Sequence, residues 1–173
     1  MKLCKIIIVL GISILFFVGG GSVSNSDNKY NFSEKTADLQ TKTIMEYIVN
    51  RNNEELEKVF CQHIKSTHNL SDEIIKTLEF IDGNIVSYDE PTGYISSQDI
   101  KYNKSTKLEF KGEISNVKTD TGKTYRIGIS SYWIYDKDES YVGVSFICIE
   151  DVNIYNKEYG FPSTGIVYIG EVL

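Results

Sequence analysis

The chain has 173 residues, 41% hydrophobic and 24% charged, with a formal net charge of −6. That is enough for one domain of ordinary size with its own core, and it excludes a disordered or fibrous chain. No cluster of Lys and Arg stands outside the first five residues, which argues against nucleic acid and anionic membrane surfaces as partners.

The N-terminus reads as an export signal over residues 1–24. Met1–Lys5 is a positive start, Ile6–Val18 is an unbroken apolar run, and Gly19, Gly20, Gly21, Ser22 and Ser24 supply small residues for a peptidase. A run this short is below the roughly 20 residues of a spanning helix. An uncleaved anchor is the alternative, and the only membrane contact expected. Gly20 stands where a lipidated Cys would be, so lipid anchoring is not expected. Removing Lys2 and Lys5 from the 18 basic residues leaves 16 against 24 acidic ones, a mature charge near −8.

A polar linker over 25–32 leads into a single α+β domain over 33–173. Ser33 opens a helix with Ala37, Thr41, Ile44 and Ile48 in one stripe. Asn52 and Glu55 form a capping arrangement before a short helix with Leu56, Val59 and Phe60. His63–His68 reads as a connector. A third helix, capped by Ser71, carries Ile74, Ile75, Leu78 and Ile81 inward and stops at Asp82-Gly83.

Asn84–Tyr88 is then a first strand, and Glu90–Ser105 a long, partly irregular crossing. Lys107–Glu150 has the period-two spacing of an antiparallel meander. Leu108, Phe110 and Ile114 alternate with charge; Tyr125, Ile127, Ile129, Trp133 and Tyr135 fall on one side; Val142, Val144, Phe146 and Cys148 alternate in the last strand. Ile154–Pro162 is a loop or strand extension, and Gly165–Ile169 a short closing strand. The expected architecture is α+β: three N-terminal helices packed on a curved, mainly antiparallel sheet.

Few residues point to chemistry. His63 and His68 do not share a helix face, and neither has a Cys or carboxylate at metal-ligand spacing. Gly160–Gly165 has the wrong spacing for a nucleophile elbow. Asp136, Asp138 and Glu139 are too few for a calcium cage, and the Asn-x-Ser/Thr triplets at Asn31, Asn69 and Asn103 are what an Asn- and Ser-rich chain contains by chance. No cofactor, metal or catalytic residue is expected. Cys61 and Cys148 fit either buried thiols or, after export, a disulfide. The aromatics Tyr125, Trp133, Tyr135 and Phe146 are the candidate ligand-binding residues, as a pocket wall beneath a helical lid; plain core packing is the competing reading.

Ala37-Asp38, Asn53–Phe60, Phe80–Tyr88, Val117–Tyr125 and Thr164–Ile169 together resemble a bacterial family of exported proteins carrying a domain of unknown function, over roughly residues 35–170. Such proteins resemble the nuclear-transport-factor-2-like superfamily. The resemblance implies a sheet wrapped by helices into a cone with an internal pocket, and it implies little about function, because that fold hosts enzymes, ligand binders and interaction modules. The leading expectation is an exported non-enzymatic binding or interaction module for a small apolar ligand or a protein partner. Two alternatives stand beside it. One is an isomerase, dehydratase or hydrolase using His63 or His68 with Asp99; the other is an immunity-type or inhibitor protein.

Overall fold

A computed structural model describes residues 33–154 and 165–173. The expected export signal, the linker and most of the Gly160–Gly165 run lie outside the described residues. Four helices come first: α1 (Ser33–Val49), α2 (Asn53–Val59), α3 (Gln62–Thr67) and α4 (Leu70–Glu79). Six strands follow: β1 (Ile85–Ser87), β2 (Thr92–Lys101), β3 (Lys104–Thr119), β4 (Thr124–Tyr135), β5 (Gly143–Asp151) and β6 (Ile166–Gly170). A short 3₁₀ turn, Glu139–Tyr141, joins β4 to β5. The fold is α+β with an open, antiparallel sheet, in which β3, β4, β5 and β6 lie side by side and β1 and β2 both pair with β3.

Two elements differ from the sequence reading. The expected connector around His63 is a helix, so the described residues hold four helices rather than three. Only Ile64 of α3 is buried, which leaves no apolar period to read in six residues. The expected irregular crossing is β2, paired with β3 from Thr92 to Lys101. Its register slips between Ile95 and Ser97 and again near Ile100, and those slips break the alternation that marks a strand.

The helices lie where their apolar stripes dictate. In α1 the buried positions are Ala37, Thr41, Ile44, Met45 and Ile48, one side of a 3.6-residue period. The Asn52 carboxamide oxygen accepts from the Glu55 N–H at 3.3 Å, capping α2 as expected. In α4, Leu70, Ile74 and Leu78 are buried, whereas Ile75 is exposed, not inward. Arg51, with φ of 49°, reaches from the α1–α2 turn to the end of α4. Its guanidinium donates to the carbonyls of Leu78 (2.7 Å), Ile81 (3.1 Å) and Gly83 (3.0 Å). The Leu78 oxygen also accepts from the Ile81 N–H at 3.2 Å, so Arg51 adds to the bonds that close the helix end.

One cluster unites both layers: Ile44, Ile48, Leu56, Ile64, Ile74 and Leu78 from the helices with Phe110, Ile114, Tyr125, Ile127, Ile147 and Ile149 from the sheet. Each such side chain contributes on the order of 1.5–3 kcal/mol on burial. One hydroxyl sits badly in this setting. Ser131 is fully buried opposite Phe110 and Val144, and its Oγ has no hydrogen-bond partner among the described residues. Replacing Ser131 by Ala is expected to stabilise the fold by about 1 kcal/mol, because the desolvated hydroxyl is removed. A urea midpoint shifted upward checks this.

Candidate functional site

The register of β4 and β5 decides which side chains face away from the helices. Ile127 pairs with Ile149 and Ile129 with Ile147, and all four are in the core. Alternation then sends the intervening pairs to the second face: Arg126 with Glu150, Gly128 with Cys148, and Ser130 with Phe146. Strand β6 adds Tyr168 beside Cys148 and Ile166 beside Glu150.

This second face has a small-residue floor and an aromatic wall. Gly128 has no side chain, and a Cβ there would stand 2.9 Å from the Cys148 sulfur. Phe146 and Tyr168 pack with ring centroids 6.0 Å apart, and Tyr168 is 63% exposed. At the end of the floor the Arg126 Nε and Nη2 both donate to Glu150 Oε2, at 2.9 and 2.6 Å. Glu150 is buried by this pairing although it carries charge, and its hydrogen bond pushes the Arg126 guanidinium further up. Burial pushes the Cys148 thiol up, against a smaller lowering by the Gly128 backbone and Arg126. Both Cys61 and Cys148 are free thiols. Cys61 belongs to the core cluster, whereas Cys148 points to the opposite face.

The four aromatics read from the sequence are not brought together. Tyr125 is in the core, where its hydroxyl accepts from the Asp82 N–H at 2.9 Å and donates to the Phe80 carbonyl at 3.3 Å. Trp133 is half-buried on the helix side, stacked on Phe110 at 5.2 Å, with Nε1 donating to Gln40 of α1 at 2.6 Å. Tyr135 lies between the rings of Tyr132 and Tyr141, at 5.2 and 5.5 Å. Phe146 is on the second face. The reason is backbone geometry. The β3–β4 register steps from Glu109–Tyr132 to Leu108–Ile134, so Trp133 is the extra residue of a bulge and Tyr135 does not follow it in phase. In β5 the core takes Ile147 and Ile149 rather than Phe146 and Cys148.

The histidines have partners other than Asp99. His68 Nδ1 is 2.9 Å from Glu73 Oε1, and Glu73 Oε2 accepts from the Gly170 N–H at 3.0 Å. That carboxylate therefore ties α4 to β6. His63 stacks on Tyr141 at 4.3 Å with Nε2 3.4 Å from Glu171. Asp99 is exposed on β2 opposite Lys107. Among the described residues no three His, Cys, Asp or Glu converge at metal-ligand distance. Asp138 caps the 3₁₀ turn by accepting from the Ser140 N–H at 2.9 Å, which draws its carboxyl below the usual range.

Neither of two hollows among the described residues is an enclosed cavity of ligand size. One, of about 290 Å³, is an open trough on α2 and α3 lined by Glu54, Glu57, Lys58 and Lys65. The other, beside Arg51 and Gly83, holds about 10 Å³, about one water. Sequence reasoning missed Arg126, Glu150, Tyr168 and Glu73. Arg126 and Glu150 are 24 positions apart, and only the strand register makes them neighbours.

Residues 43–156, well over half of the chain, match a family described as "Domain of unknown function (DUF5104)". The chain belongs to this family. The matched span runs from the middle of α1 through β5, so it includes the Arg126–Glu150 pair, Gly128, Phe146 and Cys148 but not Tyr168. None of the curated proteins matches the chain.

Proposed function

We propose that the chain is an exported, non-enzymatic interaction module whose partner meets the second face of the sheet. The observation that carries this is the Phe146–Tyr168 wall beside the Gly128–Cys148 floor. It is a large aromatic surface that contributes little to the core and is open to a partner. The apolar run Ile6–Val18 behind Lys2 and Lys5 supports export. The order of helices before an antiparallel sheet supports a likeness to the nuclear-transport-factor-2-like cone. Large, fully buried side chains such as Tyr125, Phe110 and Met45 fill the region between the layers. The proposal therefore places the contact outside rather than in an internal pocket.

Native mass spectrometry of the protein from its own culture tests it. A bound partner is expected on the wild type. Phe146→Ala/Tyr168→Ala is expected to weaken that complex at least tenfold, as the loss of an aromatic anchor does. Trp133→Ala, on the helix side, is expected to leave it largely intact. A complex equally strong in the double variant, or lost only in Trp133→Ala, contradicts the proposal.

A further inference from the structure

The second face of the sheet continues past β4 as far as β2. Lys111 of β3 lies between Tyr94 of β2 and Ser130 of β4, and Ser130 pairs in turn with Phe146 of β5. In the next row Glu113 lies between Thr92 and Gly128, followed by Cys148 and Tyr168. Gly93 faces the Ala37 backbone of α1, so alternation sends Tyr94 to the second face. Its ring is 46% exposed.

Aromatic rings therefore stand at both ends of this surface, Tyr94 at one and Phe146 with Tyr168 at the other. Hydroxyl, charged and glycine positions fill the strands between them. A protein hot spot gathers its anchors around one desolvated centre, whereas Tyr94 stands three strands from Phe146, roughly 14 Å away. A lipid surface wants continuous apolar area and free Lys or Arg. Here the cations are matched within the face: Arg126 bonds Glu150, and Lys111 Nζ lies 3.9 Å from Glu109. Charges balanced in this way select neither an anion nor a cation.

A sugar chain has the same alternation. A pyranose ring offers an apolar C–H face, which the negative face of an aromatic ring attracts. Its edge is a row of hydroxyls, which donate to Glu and accept from Lys alike. In a β-1,4-linked chain of equatorial pyranoses the rings lie flat, and their repeat is close to the strand spacing of about 5 Å. Successive sugars can then sit over successive strands.

We infer that the second face is a platform for a flat, uncharged, β-linked glycan that crosses the strands. One end of the glycan stacks on Phe146 and Tyr168 and the other on Tyr94. Lys111 and Glu113 hold the hydroxyls between them, and Gly128 and Ser130 keep the middle low enough for the chain to lie flat. The inference rests on the second-face reading and gives its partner a chemical class.

Isothermal titration of the full chain, as its own cell processes it, with cellohexaose and chitohexaose tests this. At least one hexamer is expected to bind, at least tenfold more tightly than its own dimer, which spans too few strands to reach both aromatic ends. Maltohexaose, whose α-links coil the chain away from a flat surface, should bind at least tenfold more weakly. These two comparisons need no substitution. Tyr94→Ala should weaken binding at least tenfold and Tyr94→Phe should keep it, with melting curves showing both variants folded. Three results would each overturn the glycan: no heat with either hexamer, equal affinity for maltohexaose, or a folded Tyr94→Ala chain that binds like the wild type. If neither hexamer binds but a co-purifying protein is lost in Phe146→Ala/Tyr168→Ala, the glycan fails and the second-face contact stands. Hexamer binding that survives Phe146→Ala/Tyr168→Ala contradicts both.

Discussion

Replacing Tyr125 by Ala is expected to lower the unfolding free energy by about 3–5 kcal/mol, the usual loss for a large aromatic in a close-packed core. The ring is 1% exposed and packs edge-on against Phe80, with centroids 5.8 Å apart. Its hydroxyl lies at the end of α4, accepting from the Asp82 N–H and donating to the Phe80 carbonyl. Tyr125→Phe keeps the ring and removes only these two bonds, so about 1–2 kcal/mol is expected there. Urea unfolding of both variants separates packing from hydrogen bonding. A Tyr125→Ala chain as stable as the wild type but unable to bind its partner would return Tyr125 to the role of ligand contact.

Gly93→Val is the second large expected effect, a loss of about 3 kcal/mol or more. A Cβ on Gly93 would stand 2.4 Å from the Ala37 carbonyl carbon, 2.5 Å from its oxygen and 2.7 Å from its Cβ. Helix backbone cannot yield as a side-chain tip does, so α1 must move off the sheet. Overpacking alone costs about 1–3 kcal/mol. The Gly93 N–H bond to the Asp38 carboxylate, 2.8 Å, adds to the loss as α1 shifts. The readout is specific, because the only Trp, Trp133, is bonded to Gln40 of the same helix. A red-shifted Trp emission in the folded state should accompany the lower midpoint. Asp38→Ala removes the bond without the clash, and should cost less and leave the emission in place.

The sequence carried the frame and lost the phase. Tyr125, Ile127 and Ile129 alternate without interruption, and all three are core residues; the same holds for the helical stripe from Ala37 to Ile48. Strand β5 was ambiguous because both its faces are apolar: Phe146 and Cys148 read as well as Ile147 and Ile149. Ser145 settles the matter physically. It is the extra residue between the pairs Ser131–Val144 and Ser130–Phe146, so Val144 can be buried without Phe146 following it. The same device at Trp133 separates it from Tyr135. Strand β2 was hidden because Ser96, Gln98, Asp99 and Ile100 are all exposed, leaving no inner and outer set to alternate. The candidate face was therefore legible only in part: Phe146 was visible as an aromatic, but its neighbours Tyr168, Arg126 and Glu150 are defined by register.

Cys148 offers the most direct measurement, since it lies at the centre of the proposed contact and needs no substitution. Its alkylation can be followed by mass spectrometry of the peptide that carries it, with the core residue Cys61 as an internal reference. The free protein should react at Cys148 slowly near neutral pH and faster in alkali, because burial raises that thiol and only the thiolate attacks. Adding back the partner that co-purifies with the protein should slow Cys148 alkylation at least tenfold and leave Cys61 unchanged. A Cys148 rate unaffected by a saturating partner would contradict the second-face contact.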